Sequence, residues 1–160
     1  MMERKLMSEL LRWKENTGRK PLLLEGARQV GKTYLLKEFG RRYFENVAYV
    51  NFQNPSEELI DLFNGSIDPR RIITMLELFL GIKIIPGETL IIFDEAQEVP
   101  RALTSLKYFC EDAPEYHIAT AGSLLASVGS LRVFLHKGTS FPVGKVNSLK
   151  LEPIDFEEFS

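Results

Sequence analysis

A glycine-rich segment near the start of the chain has the residue types that proteins use to hold phosphate groups. It matches the pattern G-x-x-x-x-G-K-[ST], and its eight residues are Gly26, Ala27, Arg28, Gln29, Val30, Gly31, Lys32 and Thr33. The two glycines allow backbone angles that let successive N–H groups point at phosphate oxygens. The lysine can reach the β- and γ-phosphates, and the threonine hydroxyl is a ligand for Mg²⁺. A random chain of this length matches the pattern about once in 200 times, so we predict a phosphate-binding loop.

A second group of candidate residues lies further along the chain, where the apolar run LIIF ends in Asp94 and Glu95. A buried strand that ends in two carboxylates is suited to a bound cation. We expect Asp94 to hold Mg²⁺ and Glu95 to accept a proton from an attacking water. Many strands end in an acidic turn, so this signal gains its weight from the phosphate loop before it. The alternative for Glu95 is a surface carboxylate, which would leave a nucleotide binder with little hydrolysis.

Strands and helices that alternate along the chain must position these residues. Short apolar runs predict strands at 21–25, 47–52, 90–93, 117–121 and, as a possible fifth, 148–151. Apolar periodicity predicts helices at 1–16, 32–39 with Gly40 as its stop, 56–63, 70–80 and 101–111. The helix at 70–80 is expected to have Asp68 as its N-cap, Pro69 at its first position and Gly81 at its end. This alternation predicts an α/β fold with a parallel sheet covered on both faces. Ligands of such sheets bind beyond the carboxyl ends of the strands, so the loops after Glu25, Phe93 and Ala121 are expected to form the site.

Composition and charge narrow the class of protein further. The 160 residues carry a formal net charge of -2, with 44% hydrophobic and 26% charged residues. We expect one soluble, cytoplasmic domain, because no apolar run approaches the roughly 18 residues of a membrane helix. A generic nucleic-acid binder normally shows a basic excess, and this chain has none. The single cysteine excludes an intrachain disulfide. The spacing of Trp13 from Leu6 and Leu10 predicts that Trp13 lies in the core, although stacking on adenine is an alternative.

With these two motifs the chain resembles the P-loop ATPases, GARQVGKT being its Walker A motif and LIIFDE its Walker B motif. It looks like the AAA-type ATP-binding proteins of bacteria and archaea that usually carry a C-terminal nuclease-like domain of unknown function. The matching stretches are 19–33, 89–103, 105–125 and 140–146, so the resemblance covers essentially the whole chain. It implies a three-layer α/β/α fold with a mainly parallel five-stranded sheet in the order 5-1-4-3-2.

The resemblance also implies roles for residues outside the two motifs. Ser123 follows the fourth strand, where the family places the sensor that touches the γ-phosphate or the lytic water; an ordinary helix N-cap is the alternative. Many relatives have a Gly-Arg pair near the end of this module that can act as an arginine finger. This chain has Gly144-Lys145 there, and lysine cannot make the same bidentate contact. Arg132 is the other candidate finger, and an exposed surface arginine is its alternative.

Taken together, these features predict that residues 1–160 form an ATPase core. This core is expected to bind ATP with Mg²⁺ and to hydrolyse the ATP to ADP and phosphate. The family's lid and C-terminal effector domain have no counterpart in the chain, which is therefore expected to be a fragment or a truncated member. A protein partner, or self-association, is expected to act through that region. Two alternatives stay open. One is a nucleotide-dependent switch with negligible turnover alone, and the other is a DNA-associated ATPase.

Overall fold

The computed structural model describes residues 2–26, 31–121 and 146–151. The strands in these ranges are β1 (Leu22–Gly26), β2 (Asn46–Asn51), β3 (Thr89–Asp94), β4 (His117–Ala121) and β5 (Asn147–Leu151). The helices are α1 (Met2–Glu15), α2 (Lys32–Tyr43), α3 (Glu57–Asn64), α4 (Pro69–Leu80) and α5 (Pro100–Asp112), with a single 3-10 turn at Ala96–Glu98. None of these described helices is long and apolar enough to cross a membrane.

All five strands form one sheet in the order β2-β3-β4-β1-β5, and every neighbouring pair is parallel. The expected order 5-1-4-3-2 is confirmed. In the register of the sheet, Asp94 lies opposite Asn51 on one side and opposite Ala121 on the other. Ala121 is in turn opposite Leu24 of β1. The carboxyl ends of four strands therefore meet at one edge, which is where ligands of parallel sheets bind.

Different helices cover the two faces of the sheet, because successive side chains of a strand point to opposite faces. On one face, Leu24 and Ile92 pack with the apolar residues of α1 and α2. On the other face, Leu23 and Phe93 pack with those of α3, α4 and α5. Every residue of β3 is buried, as expected for a strand covered on both faces. The fold is the three-layer α/β/α arrangement that the resemblance implied.

The expectation that Gly40 ends the second helix is wrong. Helix α2 continues to Tyr43, and Gly40 lies inside it, buried against the sheet. A Cβ atom at Gly40 would overlap Cγ2 of Val47 and lie 3.1 Å from Cδ2 of Leu90. Glycine is therefore present because the helix backbone passes close to β2 and β3, and this contact outweighs its low helix propensity.

The predicted signals at the ends of α4 are confirmed. The Asp68 side chain accepts a hydrogen bond from the backbone N–H of Arg71 at 3.3 Å, and Pro69 is the first helical residue. Gly81 follows the helix with φ 72°, in the left-handed region that glycine adopts at no steric cost.

The first helix contributes to the core through a stripe of buried side chains that includes Leu6, Leu10 and Trp13. The Trp13 ring packs tilted on Phe39 and edge-on against His117, at centroid distances of 6.4 and 5.6 Å. Its indole N–H donates to the backbone carbonyl of Lys20 at 2.7 Å. Trp13 is therefore a core residue, as its spacing favoured.

Candidate functional site

Five of the predicted site residues meet at the carboxyl edge of the sheet. Gly31, Lys32 and Thr33 come from the start of α2, and Asp94 and Glu95 come from the end of β3. They line one open cavity with a volume of about 230 Å³. The sequence therefore brings the two motifs together through the positions of β1 and β3 in the sheet.

The loop that carries the phosphate-binding pattern is described at its two ends. Gly26 is the last residue of β1, and Gly31 has φ 80°, the left-handed conformation that favours glycine. The Gly31 carbonyl accepts the first hydrogen bond of α2, from Leu35 N at 2.8 Å. The other predicted site residues lie outside the described ranges, and they are Ala27, Arg28, Gln29, Val30, Ser123, Arg132 and Lys145. Their assigned roles stay predictions.

Asp94 is a buried carboxylate that hydroxyl groups hold in place. The hydroxyl of Thr33 donates to Asp94 Oδ2 at 2.9 Å, and the hydroxyl of Tyr49 donates to the same oxygen at 2.6 Å. The Asp94 side chain is only 7% exposed, so these bonds replace much of its hydration. Burial, the hydrogen bond to Asp94 and the negative charge of that carboxylate raise the pKa of Tyr49.

The positions of Thr33 and Asp94 fit a bound magnesium ion. Mg²⁺ prefers oxygen ligands, and both a threonine hydroxyl and a carboxylate supply them. Thr33 and Asp94 line the same cavity and are hydrogen-bonded to each other. They would therefore hold one ion together, directly or through its bound water.

Lys32 brings a positive charge into this site. Lys32 is only 5% exposed, and this burial lowers the pKa of its ammonium group. The negative charges of Glu95 and Asp94 partly offset the shift, because they raise the same pKa. A cation that lines an open cavity together with two carboxylates is placed to meet the anionic oxygens of a phosphate group.

Glu95 has an unusual backbone for a side chain of its type, with φ 57° and ψ 43°. Such a conformation costs on the order of 1–3 kcal/mol in a non-glycine residue and occurs often at functional sites. The Glu95 N–H donates to the Ala121 carbonyl at 2.7 Å, which ties the turn after β3 to the end of β4. Gln97, which is 6% exposed, donates from Nε2 to Glu95 Oε1 at 2.6 Å.

Two residues of this site, Tyr49 and Gln97, were missed by sequence reasoning. The alternation of side chains along β2 could have placed Tyr49 on the face of the sheet that α2 covers, together with Val47. The alternation alone does not show that the Tyr49 hydroxyl reaches Asp94, because this contact depends on the register between β2 and β3. No pattern in the sequence marks Gln97, whose contact depends on the left-handed turn at Glu95.

The strand order of the parallel sheet, together with the two motifs at the carboxyl edge of that sheet, defines an AAA-type P-loop ATPase fold. A family model described as an AAA domain matches residues 18–160, and the chain belongs to this AAA_14 family.

Solved structures support the same fold class. The Walker-type ATPase PABY2304 of Pyrococcus abyssi matches with a TM-score of 0.57 at 22% identity, over 98% of this chain and 53% of its own. The ORC1 protein of Aeropyrum pernix, solved in complex with DNA, matches with a TM-score of 0.54 at 17% identity. The match covers 96% of this chain and 45% of the ORC1 chain. The ORC2 protein of the same organism, solved as ADPNP–ADP complexes, matches with a TM-score of 0.51 at 18% identity. The match covers 98% of this chain and 47% of the ORC2 chain.

The chain thus spans about half the length of these structures. None of the curated proteins compared with it gives a match.

Proposed function

We propose that this chain binds ATP with Mg²⁺ and hydrolyses it to ADP and phosphate. The observation that carries the proposal is the convergence of Lys32, Thr33, Asp94 and Glu95 around one cavity at the carboxyl edge of the sheet. These side chains supply a cation for phosphate, two oxygen groups for a metal, and a carboxylate able to accept a proton. Membership of the AAA family supports nucleotide binding as the coarser function.

Each residue has a distinct task in this proposal. Lys32 and the backbone N–H groups at the start of α2 stabilise the negative charge that develops on the γ-phosphate. Thr33 and Asp94 hold the metal, which when bound neutralises charge on the phosphate oxygens. Glu95 orients the attacking water and accepts its proton. The resemblance adds Ser123 as the group that senses the γ-phosphate.

Single-turnover hydrolysis tests the catalytic role of Glu95. The wild-type chain and Glu95→Gln are mixed in excess with γ-labelled ATP and Mg²⁺, and phosphate release is followed. We expect Glu95→Gln to lower the rate by at least about 100-fold, because a positioned general base contributes about 10²–10⁴-fold. Nucleotide affinity should stay close to that of the wild type.

The exposed Glu98, three residues further on, provides a matched control. Glu98→Gln makes the same chemical change in the same turn and should leave the rate unaltered. Equal rates for the wild type and Glu95→Gln would exclude Glu95 as the base.

A second candidate function is a nucleotide-dependent switch with negligible turnover alone. The bond from Gln97 to Glu95 at 2.6 Å favours it, because the proposed base is already engaged by a neighbouring side chain. In this case the wild type binds ATP tightly but shows no phosphate release above the Glu95→Gln background. Sedimentation with ATP, ADP or no nucleotide would then show whether the bound nucleotide controls self-association.

A DNA-associated ATPase is the third candidate. The DNA complex of the Aeropyrum pernix ORC1 protein is the observation that raises it, whereas the net charge of -2 provides no basic excess. Filter binding of duplex DNA across a salt series tests it, because phosphate contacts make the affinity fall with rising salt. Absence of a salt-dependent affinity would remove this candidate.

A further inference from the structure

Tyr49 links the strand β2 to the carboxylate that ends β3. Its hydroxyl donates to Asp94 Oδ2 at 2.6 Å. The two strands are parallel neighbours, with Tyr49 opposite Ile92 and Asn51 opposite Asp94. Tyr49, Ile92 and Asp94 therefore share the face of the sheet that α2 covers, and the tyrosine side chain extends along the strand direction to reach the carboxylate.

Helix α2 fixes the same tyrosine from the other side. The ammonium of Lys37 lies 3.9 Å from the centre of the Tyr49 ring. Thr33, which precedes Lys37 by one helical turn, donates to the same oxygen of Asp94 at 2.9 Å. Residues four apart share one face of a helix, so Thr33 and Lys37 together enclose the pair formed by Tyr49 and Asp94.

The two hydroxyl donors reach Asp94 from different parts of the fold. Thr33 belongs to the phosphate-loop helix and is itself a proposed metal ligand. Tyr49 belongs to β2, which contributes none of the described residues that line the cavity. A carboxylate held by donors from two directions cannot rotate about its Cβ–Cγ bond without breaking at least one hydrogen bond. Groups that hydrogen-bond a metal ligand in this way orient it, and their loss typically costs about 10–100-fold in metal affinity or activity.

We propose that Tyr49 is a positioning residue that orients Asp94 toward the magnesium ion of the bound nucleotide. This inference rests on the proposed function of the site. It assigns to β2 a part in metal binding that neither motif of the sequence contains.

The experiment measures the binding of a fluorescent, non-hydrolysable ATP analogue by the wild type, Tyr49→Phe and Tyr43→Phe. Affinity is determined in EDTA and then over a Mg²⁺ titration. Tyr43 is the matched control, because it ends α2 beside the Phe39 ring, at the end of the helix opposite to Lys32. We expect Tyr49→Phe to raise the half-saturating Mg²⁺ concentration about tenfold and to keep its affinity in EDTA. Tyr43→Phe should match the wild type in both measurements.

Two results for Tyr49→Phe would overturn the inference. One is a half-saturating Mg²⁺ concentration within twofold of the wild type. The other is an equal loss of affinity in EDTA, which would assign the hydroxyl to the fold instead of the metal. Failure of the proposed function has a different signature, because the wild type itself would then show no nucleotide binding or no response to Mg²⁺.

Discussion

Near the amino end of β1, Arg19 and Trp13 bind partners of a different kind from those at the carboxyl edge of the sheet. At the amino edge, the Arg19 guanidinium donates to the backbone carbonyls of Lys14, Asn16 and Pro114 at 3.1–3.3 Å. The Trp13 indole also donates to a backbone carbonyl. At the carboxyl edge, hydroxyl, carboxylate and amide side chains bind one another beside an open cavity.

This difference separates groups that hold the chain together from groups that meet a ligand. A backbone carbonyl is part of the fold, so a donor bound to it stabilises the arrangement of segments. Side chains that bind one another can exchange their partners for phosphate or metal without moving the backbone. Substitutions at the amino edge should therefore change stability first, and substitutions at the carboxyl edge should change nucleotide chemistry first.

The largest effect is expected for Trp13→Ala at the amino edge. The substitution removes a ring that is 5% exposed, together with its packing on Phe39 and His117. Loss of a buried aromatic side chain typically lowers the free energy of unfolding by about 3–5 kcal/mol. Chemical denaturation measures the change, and the neighbouring exposed Arg12→Ala should stay within about 0.5 kcal/mol of the wild type. A nucleotide affinity that fell while stability was unaltered would contradict the core assignment.

At the carboxyl edge, Lys32→Met should abolish most of the hydrolysis. We expect the single-turnover rate to fall about 100- to 1,000-fold, the typical cost of removing one group that stabilises charge in a transition state. The melting temperature should change little, because relief from burying the ammonium offsets its lost attraction to Asp94 and Glu95. Lys5→Met, on an exposed part of α1, is the control for the chemical change. A variant that melted far below the wild type would place Lys32 among the stabilising groups.

Gln97→Leu tests the smaller contribution of the bond to Glu95. We expect the rate of hydrolysis to fall by at least about tenfold with unaltered nucleotide affinity, since a hydrogen bond to a charged group contributes about 1.5–3 kcal/mol. Steady-state kinetics separate kcat from KM in the wild type, Gln97→Leu and the exposed control Gln53→Leu. A rate above that of the wild type would mean that Gln97 restrains Glu95, in agreement with the switch candidate.

His117 is expected to make the stability of the fold depend on pH. Burial is the main cause that lowers the pKa of His117 from 6.5 to about 4 in the folded chain. The unfolded chain then binds more protons between these values, so stability is fully present above pH 6.5 and declines as the pH falls toward 4. Urea midpoints of the wild type and His117→Gln across this range measure the decline, which the variant should lack. Equal slopes would contradict a neutral, buried His117.

Much of the site could be predicted from sequence, because its chemistry is encoded locally. A phosphate loop needs glycine, lysine and threonine at fixed spacing, and a metal-binding strand end needs carboxylates after an apolar run. Lys32, Thr33, Asp94 and Glu95 line one cavity, and their roles there stay predictions. The ends of α4 were equally predictable, since Asp68, Pro69 and Gly81 act on the backbone beside them.

Gly40 shows where local reasoning fails. A glycine after a helical run has the same appearance whether it ends the helix or lets the helix pass close to a sheet. The contacts with Val47 and Leu90 decide between these possibilities, and they come from residues distant in the chain. Trp13 is the opposite case, because its spacing from Leu6 and Leu10 on one helix face was enough to place it in the core.

By itself, the sequence determined the class of fold, the two motifs and the chemistry that their side chains can perform. Only the tertiary structure decided which further groups hold those side chains, namely Tyr49 on Asp94 and Gln97 on Glu95. The physical reason is that residue type and spacing specify what a segment can bind. The orientation of a carboxylate depends on strand register and on one turn with positive φ, and neither is encoded in the segment that carries the carboxylate.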